Sequence, residues 1–367
     1  MISFARGVPA PECLAVEELA DCARAAVERD GRSILSYGPG GGYGPLREWL
    51  AERHGVEPSR VVITSGSLQG FVFLAEHLVR PGSRVLVEAP TYDRPLKILT
   101  RLGAEIVPVE MDEEGLVIEA LEEALDAGDK PAFLYTIPTF QNPSGRSLSI
   151  ERRRRLAELA RERGLLVLED DPYGLVRYDG ERLPSVFELA AGREEIAYCS
   201  SFSKTVAPGV RVGWFVLPPQ LAADIEALAV STYISPPYLS QATVLEFLRR
   251  DSFEPNLDRV NGLLRERRDA MLDALARELP EDASWTRPDG GYFAWVDLPS
   301  GPDSSELLVE AEEAGVTFVK GSDFFPGGQG GERALRLAFS FVSPDEIAEG
   351  VSVLGSLARA RAAAATL

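Results

Sequence analysis

Five short apolar runs rich in β-branched and aromatic residues recur along the chain: Val61–Ile63, Val85–Val87, Phe133–Tyr135, Leu165–Leu168 and Ile196–Tyr198. Runs this short read as buried strands. Helical periodicity fills most of the gaps, as over Gln69–Val79 and Ile150–Arg163. Two parallel strands cannot be joined by a tight turn and need a crossover, usually a helix. The alternation therefore predicts an α/β core around a mostly parallel sheet. Val212–Leu217 follows the Ile196 run too closely for a comfortable crossover helix, so it is expected to be an antiparallel neighbour.

Beyond Pro236 the pattern changes. A long amphipathic stretch, from about Leu239 to Leu279 with a break near Pro255, leads into Trp285–Leu298 and Val316–Val319. This predicts a second, smaller α+β domain, and the 367 residues suffice for two sizeable cores. The expected division is a large domain over residues 36–250 and a small domain over 251–367. Residues 1–35, helical from about Val16 to Arg29, are expected to pack with the small domain.

Composition removes several classes of function. The net charge of −19 opposes the basic face that a nucleic-acid partner requires. Cys13, Cys22 and Cys199 are too few and too scattered for a disulfide framework. His54 and His77 are the only histidines, which argues against a histidine-based triad or a multi-histidine metal site. A packing or surface role is expected for both. No apolar stretch reaches the roughly 18 residues of a membrane span, and no secretory leader is evident, so the expected compartment is the cytoplasm.

The informative residues lie immediately after the apolar runs. The five loops read Thr64-Ser65-Gly66-Ser67, Pro90-Thr91-Tyr92, Asn142-Pro143-Ser144-Gly145, Asp170-Asp171-Pro172-Tyr173 and Ser201-Phe202-Ser203-Lys204. Open α/β sheets bind ligands at the carboxyl ends of their strands, so these loops should meet on one rim. Singly, each has a plainer reading. Ser65-Gly66-Ser67 before a helix suits a phosphate, but it also suits an ordinary cap. The Asn142 loop is equally a common turn, Tyr92 could simply pack, and Asp170 could belong to a structural ion pair. The last loop is the strongest. A lysine directly after a buried strand is placed to lose its proton and act as a nucleophile. Ser201, Ser203 and Arg211 beside it could hold a phosphate dianion.

Ser200-Ser201-Phe202-Ser203-Lys204 through Arg211-Val212-Gly213-Trp214, with the Asn142 and Asp170 loops, resembles the class I/II aminotransferases of fold-type I. The similarity is to the 2-aminoadipate/kynurenine aminotransferase-like branch and runs from Phe4 to about Leu354. That branch also supplies the cofactor domain of certain bacterial transcription regulators. The resemblance implies pyridoxal 5'-phosphate (PLP), held by Lys204 as a Schiff base, with Lys204 later shuttling the α-proton. It implies Asp170 on the pyridine nitrogen, Tyr173 and Asn142 on the ring oxygen, and Tyr92 stacked on the ring. The phosphate would rest on the backbone N–H groups of Ser67 and Leu68, with Ser201, Ser203 and Arg211. Tyr37 matches a residue reaching the phosphate of a neighbouring subunit, which implies a homodimer with shared active sites. Arg336 matches the arginine that grips the substrate α-carboxylate, alongside Asn142 and the loop carrying Gly7.

The expected reaction moves an amino group between an α-amino acid and a 2-oxo acid, with glutamate and 2-oxoglutarate as one pair. Other PLP reactions on the same fold remain as alternatives: β-elimination, α-decarboxylation or racemisation. A regulator of that branch would carry a basic helix-turn-helix domain ahead of Phe4, which neither the space nor the acidic balance suits. The sequence also departs from the family pattern. Gly41 and Gly42 follow Tyr37-Gly38-Pro39-Gly40 where an acid is usual, Lys320-Gly321 replaces Pro-Gly, and the helix that often covers the site is short or missing. Arg6 stands where a small residue is common. It could take the distal carboxylate of a dicarboxylic substrate, or it could be a surface arginine paired with an acid.

Overall fold

In a computed structural model that describes residues 1–365, the apolar runs become strands with both faces covered. Up to the middle of the chain the order is β1 (Ile2–Ser3), α1 (Val16–Ile34), α2 (Gly44–His54), β2 (Val61–Thr64), α3 (Ser67–Leu78), β3 (Arg84–Ala89), α4 (Asp93–Arg101), β4 (Glu105–Asp112), β5 (Gly115–Leu116) and α5 (Ile118–Asp126). There follow β6 (Phe133–Thr136), α6 (Ile150–Arg163), β7 (Val167–Asp170), α7 (Val186–Leu189), β8 (Ile196–Ser201), β9 (Gly213–Val216), α8 (Pro219–Tyr233) and α9 (Tyr238–Arg249). The second part holds α10 (Phe253–Glu278), β10 (Ser284–Trp285), β11 (Phe293–Asp297), α11 (Ser304–Glu313), β12 (Val316–Thr317), β13 (Val319–Lys320), β14 (Ala334–Ala338) and α12 (Pro344–Ala365).

Eight strands form the main sheet in the order β2-β9-β8-β7-β6-β3-β4-β5. The pairs β8–β7, β7–β6, β6–β3 and β3–β4 are parallel. β9 runs antiparallel between β8 and β2, as its short connection predicts. β2 therefore points the same way as β8, and all five polar loops leave one rim. The strand order reverses between β3 and β6, and a crevice opens at such a switch point. The sequence reading omits β4. Pro108 interrupts its pattern, and most of its side chains are at least partly exposed, so it has no continuous apolar run.

Side chains alternate across the strands, so the two sheet faces build two cores. Val61, Ile63, Leu86, Leu134 and Val167 face α1, α2, α6 and α9. Val62, Val85, Val87, Phe133, Tyr135 and Leu168 face α3, α4 and α8. A third core joins β11, β14, α10, α11 and α12, and it also takes Tyr173 and Tyr178 from the main-sheet loops. The later part of the chain is thus packed directly against the loop that follows Asp170.

The packing departs from expectation at the N-terminus. Phe4, Ala10 and Cys13 do enter the third core, but α1 does not. Its buried Cys22 and Ala26, four residues apart on one helix face, pack on the main-sheet side with Ala242 and Leu245 of α9. The break near Pro255 also resolves differently. The chain turns between α9 and α10, and Pro255 sits in the first turn of α10, where its missing N–H costs little. His54 has the packing role expected of it. Its Nε2 accepts from Trp214 Nε1 at 3.1 Å, and burial pushes its pKa down to about 4.

Arg153 of α6 is fully buried, and its guanidinium donates to the carbonyls of Leu148 (2.8 Å), Pro138 (2.6 Å) and Pro184 (3.1 Å). It ties α6 to the start of the Asn142 loop. Arg153→Met keeps most of the stem but leaves the Leu148 and Pro184 carbonyls without the guanidinium, while the Leu148 N–H still holds the Pro138 carbonyl, and the chain should lose about 3 kcal/mol of stability. Urea unfolding with an unchanged midpoint would refute this role.

Candidate active site

The five loops, the N-terminal segment and the second domain enclose a cavity of about 420 Å³. Each wall follows from local sequence. Gly66, between β2 and α3, adopts φ +84°, and a Cβ there would lie 2.2 Å from Nη2 of Arg211. Only glycine permits that approach. Arg211 Nη2 donates to the Ser65 carbonyl at 2.7 Å, and Nη1 reaches Ser203 Oγ at 3.4 Å. Ser201 Oγ donates to Ser203 Oγ at 2.8 Å. The N–H groups of Ser67 and Leu68 open α3, where a helix has unpaired donors and a positive dipole end. Amide, hydroxyl and guanidinium donors thus converge at one end of the cavity, a cradle suited to a phosphate.

The floor is β7. Side chains alternate along it, so Asp170 faces the cavity while Glu169 and Asp171 point the other way. Glu169 accepts from the N–H groups of Val186 and Phe187 at the start of α7. Asp171 takes the Tyr198 hydroxyl at 3.1 Å and lines a separate cavity with His54 and Trp214. Asp170 Oδ2 accepts from the Tyr135 hydroxyl at 2.8 Å, while its buried Oδ1 has no partner. Burial pushes the Asp170 carboxyl up to about 6, opposed by hydrogen bonds from Tyr135 and the Cys199 thiol.

Lys204, just past β8, extends into the same space. Its Nζ donates to the Gly7 carbonyl at 2.7 Å and lies 4.9 Å from the Tyr292 ring centroid and 5.6 Å from that of Tyr173. Burial pulls its pKa down to about 8, helped by the positive charges of Arg336 and Arg211. Arg336 comes from β14 and is 7% exposed. Its Nη1 donates to Asn142 Oδ1 at 3.1 Å and its Nη2 to the Ala5 carbonyl at 2.8 Å, while its Nε has no partner. The guanidinium carbon lies 4.4 Å from the Phe293 ring centroid, and burial brings its pKa down to about 10. Gly7 is confined by the same phenylalanine, since a Cβ there would approach the Phe293 ring to 2.6 Å.

Every residue to which the resemblance gives a part in holding cofactor or substrate lines this cavity, Tyr37 and Arg6 excepted. Tyr37 is 81% exposed. Arg6 is exposed and stacks on Phe341, with its guanidinium carbon 4.5 Å from the ring centroid. In this conformation it lines no part of the cavity, and among the described residues it pairs with no acid.

Several contributors escaped sequence reading. Tyr135 sits on an apolar strand, and only its alternation with Leu134 places it beside Asp170. Gln141 holds the Asn142 loop in place. Its Nε2 donates to Glu88 Oε2 at 3.0 Å and to the Pro90 carbonyl at 2.7 Å, while its Oε1 accepts from the Ser144 backbone and hydroxyl. Glu88 is fully buried at the end of β3 and also accepts from Thr136 and Ile137. Asp93 and Arg94, at the start of α4, line the cavity as well. For Gln141, Glu88, Asp93 and Arg94 the signal was proximity to a loop already marked.

The chain matches the sequence model of the family described as aminotransferase class I and II over residues 7–354. It is 41% identical over 357 residues to the 2-aminoadipate transaminase of Thermus thermophilus, covering 97% of this chain and 89% of the relative. It is 30% identical over 343 residues to the mitochondrial kynurenine/α-aminoadipate aminotransferase of Mus musculus, covering 86% and 80%. Among solved structures, the Thermus thermophilus α-aminoadipate aminotransferase complexed with N-(5'-phosphopyridoxyl)-L-leucine superposes with a TM-score of 0.93 at 40% identity, covering 99% and 93%. The kynurenine aminotransferase of Pyrococcus horikoshii also gives 0.93, at 35% identity, covering 98% and 91%.

The lowered Lys204 pKa has a direct consequence. Only the neutral amine is nucleophilic, so attack by Lys204 of the cofactor-free chain on an added aldehyde should rise with pH and level off above about 8. Borohydride trapping across pH 6–11, followed by peptide mapping, measures it. A midpoint near the ordinary lysine value of about 10.4 would show that the amine is not perturbed.

Proposed function

Because this chain belongs to the aminotransferase class I and II family, and is a PLP-dependent aminotransferase, we propose that the cavity between Asp170, Lys204 and Arg336 is where it moves an amino group between an α-amino acid and a 2-oxo acid. Glutamate and 2-oxoglutarate are proposed as one pair. One observation carries the assignment: a buried carboxylate with a free oxygen, a lysine of lowered pKa and an anion cradle share one cavity.

The residues fit the cofactor. Asp170 Oδ1 is a buried acceptor without a donor, as a protonated ring nitrogen requires. The Gly66 turn leaves no room for a side chain between the α3 amides and Arg211. PLP supplies the aldehyde carbon that takes up the amino nitrogen and a ring that withdraws electrons from the substrate α-carbon.

The chain's own groups then divide the work. Ser67, Leu68, Ser201, Ser203 and Arg211 anchor the phosphate. Asp170 keeps the ring nitrogen protonated, with Tyr135 fixing the orientation of its carboxylate. A cation beside Asp170 favours its ionised form and draws its pKa below 6. Tyr173 and Asn142 hydrogen-bond the ring oxygen, and Tyr92 stacks on the ring. Lys204 would take the substrate α-proton and return it to the aldehyde-derived carbon on the far side of the shared nitrogen, a role for which a pKa near 8 is well matched. Arg336 receives the α-carboxylate, its side chain held flat against Phe293 and aimed by Asn142.

We also assign the chain to a homodimer in the cytoplasm. Tyr37 and Leu35 are strongly exposed, and Ile234 and Leu239 are exposed as well. Such a patch suits a second copy of the chain. No described helix is long and apolar enough to cross a membrane, and the three cysteines are free and buried.

Asp170→Asn should lower kcat by about three orders of magnitude, or about 4 kcal/mol, whereas Asp171→Asn should stay within about tenfold of the wild type. Rates with a panel of amino acids and 2-oxoglutarate test both this and the substrate pair. Equal losses in the two variants would move the ring contact away from Asp170, and no turnover with 2-oxoglutarate would remove that pair. Light scattering should give twice the chain mass, and Tyr37→Ala should hasten cofactor loss on gel filtration. A monomer that retains its cofactor would refute the shared site.

A further inference from the structure

The assigned roles leave one cation of the cavity unused. Lys204, Arg211 and Arg336 each have a place, and Arg6 lies outside, stacked on Phe341. Arg94 lines the cavity and has none.

Arg94 is the second residue of α4, directly after Tyr92 and Asp93. Helical side chains lean toward the N-terminus, which brings both charged residues back over the rim that carries Tyr92. The Arg94 side chain is 58% exposed, so it stands at the open end of the cavity, whereas Arg336 is buried. Among the described residues the only acid within 4 Å of its guanidinium is Asp93, with Nε 3.7 Å from Oδ2, too far for a hydrogen bond. That oxygen is already held by Lys97 Nζ at 2.7 Å. Among the described residues Arg94 is therefore a guanidinium with uncommitted donors. The other nearby cation, Lys320, is paired with Asp323 at 3.6 Å and does not line the cavity.

We infer that Arg94 is a specificity-determining residue that receives the distal carboxylate of a dicarboxylic substrate, with Asp93 restraining its stem. The inference rests on the assignment of Arg336 to the α-carboxylate. Two cations at opposite depths then read the two ends of one molecule. A guanidinium meets a carboxylate through two parallel N–H donors, so the contact selects an acid over an apolar tip of similar size. Its exposure keeps it modest and lets the arm turn into solvent when the tip is uncharged. The site then takes both dicarboxylic and apolar partners, with a preference rather than a strict choice.

The test uses the cofactor-loaded protein. Calorimetry with glutarate and with 4-methylpentanoate gives a preference for the dicarboxylate without turnover, and kcat/KM for glutamate and leucine gives the same ratio with turnover. Arg94→Gln should lower the glutarate preference about tenfold, and Arg94→Lys, which keeps charge but not the fork, should restore part of it. In glutamate kinetics the change should appear mainly in KM, because the contact is equal in ground and transition states. An unchanged preference in Arg94→Gln, or an equal weakening of both ligands, overturns the role of Arg94. If wild type shows no preference for glutarate and no turnover with glutamate, the proposed substrate pair falls instead, and Arg94 with it.

Discussion

Charge taken out of water has to be answered, and the carboxyl rim of the main sheet buries charge of both signs. Asp170, Lys204 and Arg336 lie within one cavity, and none has a full-strength ion pair of its own. A backbone carbonyl, an amide oxygen and a tyrosine hydroxyl answer them instead. Partners of this kind satisfy hydrogen bonds without neutralising charge, so the groups stay electrostatically unsettled and their pKa values move toward neutrality. The arrangement needs walls that exclude solvent. Phe293 and Tyr292 of the second domain supply them, which is why its core packs directly against the loop after β7. Those two rings thus set the dielectric of the cavity as well as its shape.

Much of the main sheet was legible because parallel strands buried on both faces leave a continuous apolar signature. Spacing alone separated parallel β8 from antiparallel β9. What failed, failed for physical reasons. β4 lies near the sheet edge, half exposed and broken by Pro108, so it left no signature. α1 is amphipathic and needs an apolar neighbour, but its sequence cannot say which of two available surfaces it covers. α9 covers it, and only the fold shows that.

In the candidate site, residues on or beside a marked loop that carry an unusual group could be picked out as candidates, their roles resting on the family resemblance. Lys204, Asp170, Asn142 and Arg211 are of that kind. Groups that act through another residue could not, since Tyr135 and Gln141 look like ordinary strand and loop residues until Asp170 and Asn142 are seen in place. Arg6 and Arg94 make the same point in opposite directions. Arg6 looked remarkable only by comparison with related sequences, and an aromatic face at the surface holds it. Arg94 looked unremarkable on a helix among other charges, yet the first turn of α4 opens onto the cavity.

The hydrogen bonds from Lys204 to the Gly7 carbonyl and from Arg336 to the Ala5 carbonyl fall on one short segment, two residues apart. The segment behaves as an internal competitor for both cations. An anion that reaches Arg336 Nη2 has to displace a carbonyl already there, so its affinity is a difference between two contacts and not the strength of one. The same holds for any group that engages the lysine. Once either cation lets go, the segment keeps its other ties, from Ser340 Oγ to the Val8 carbonyl and from Phe4 to Thr317 and Ala338. The two cations thus meet on one stretch of backbone that the second part of the chain holds in place.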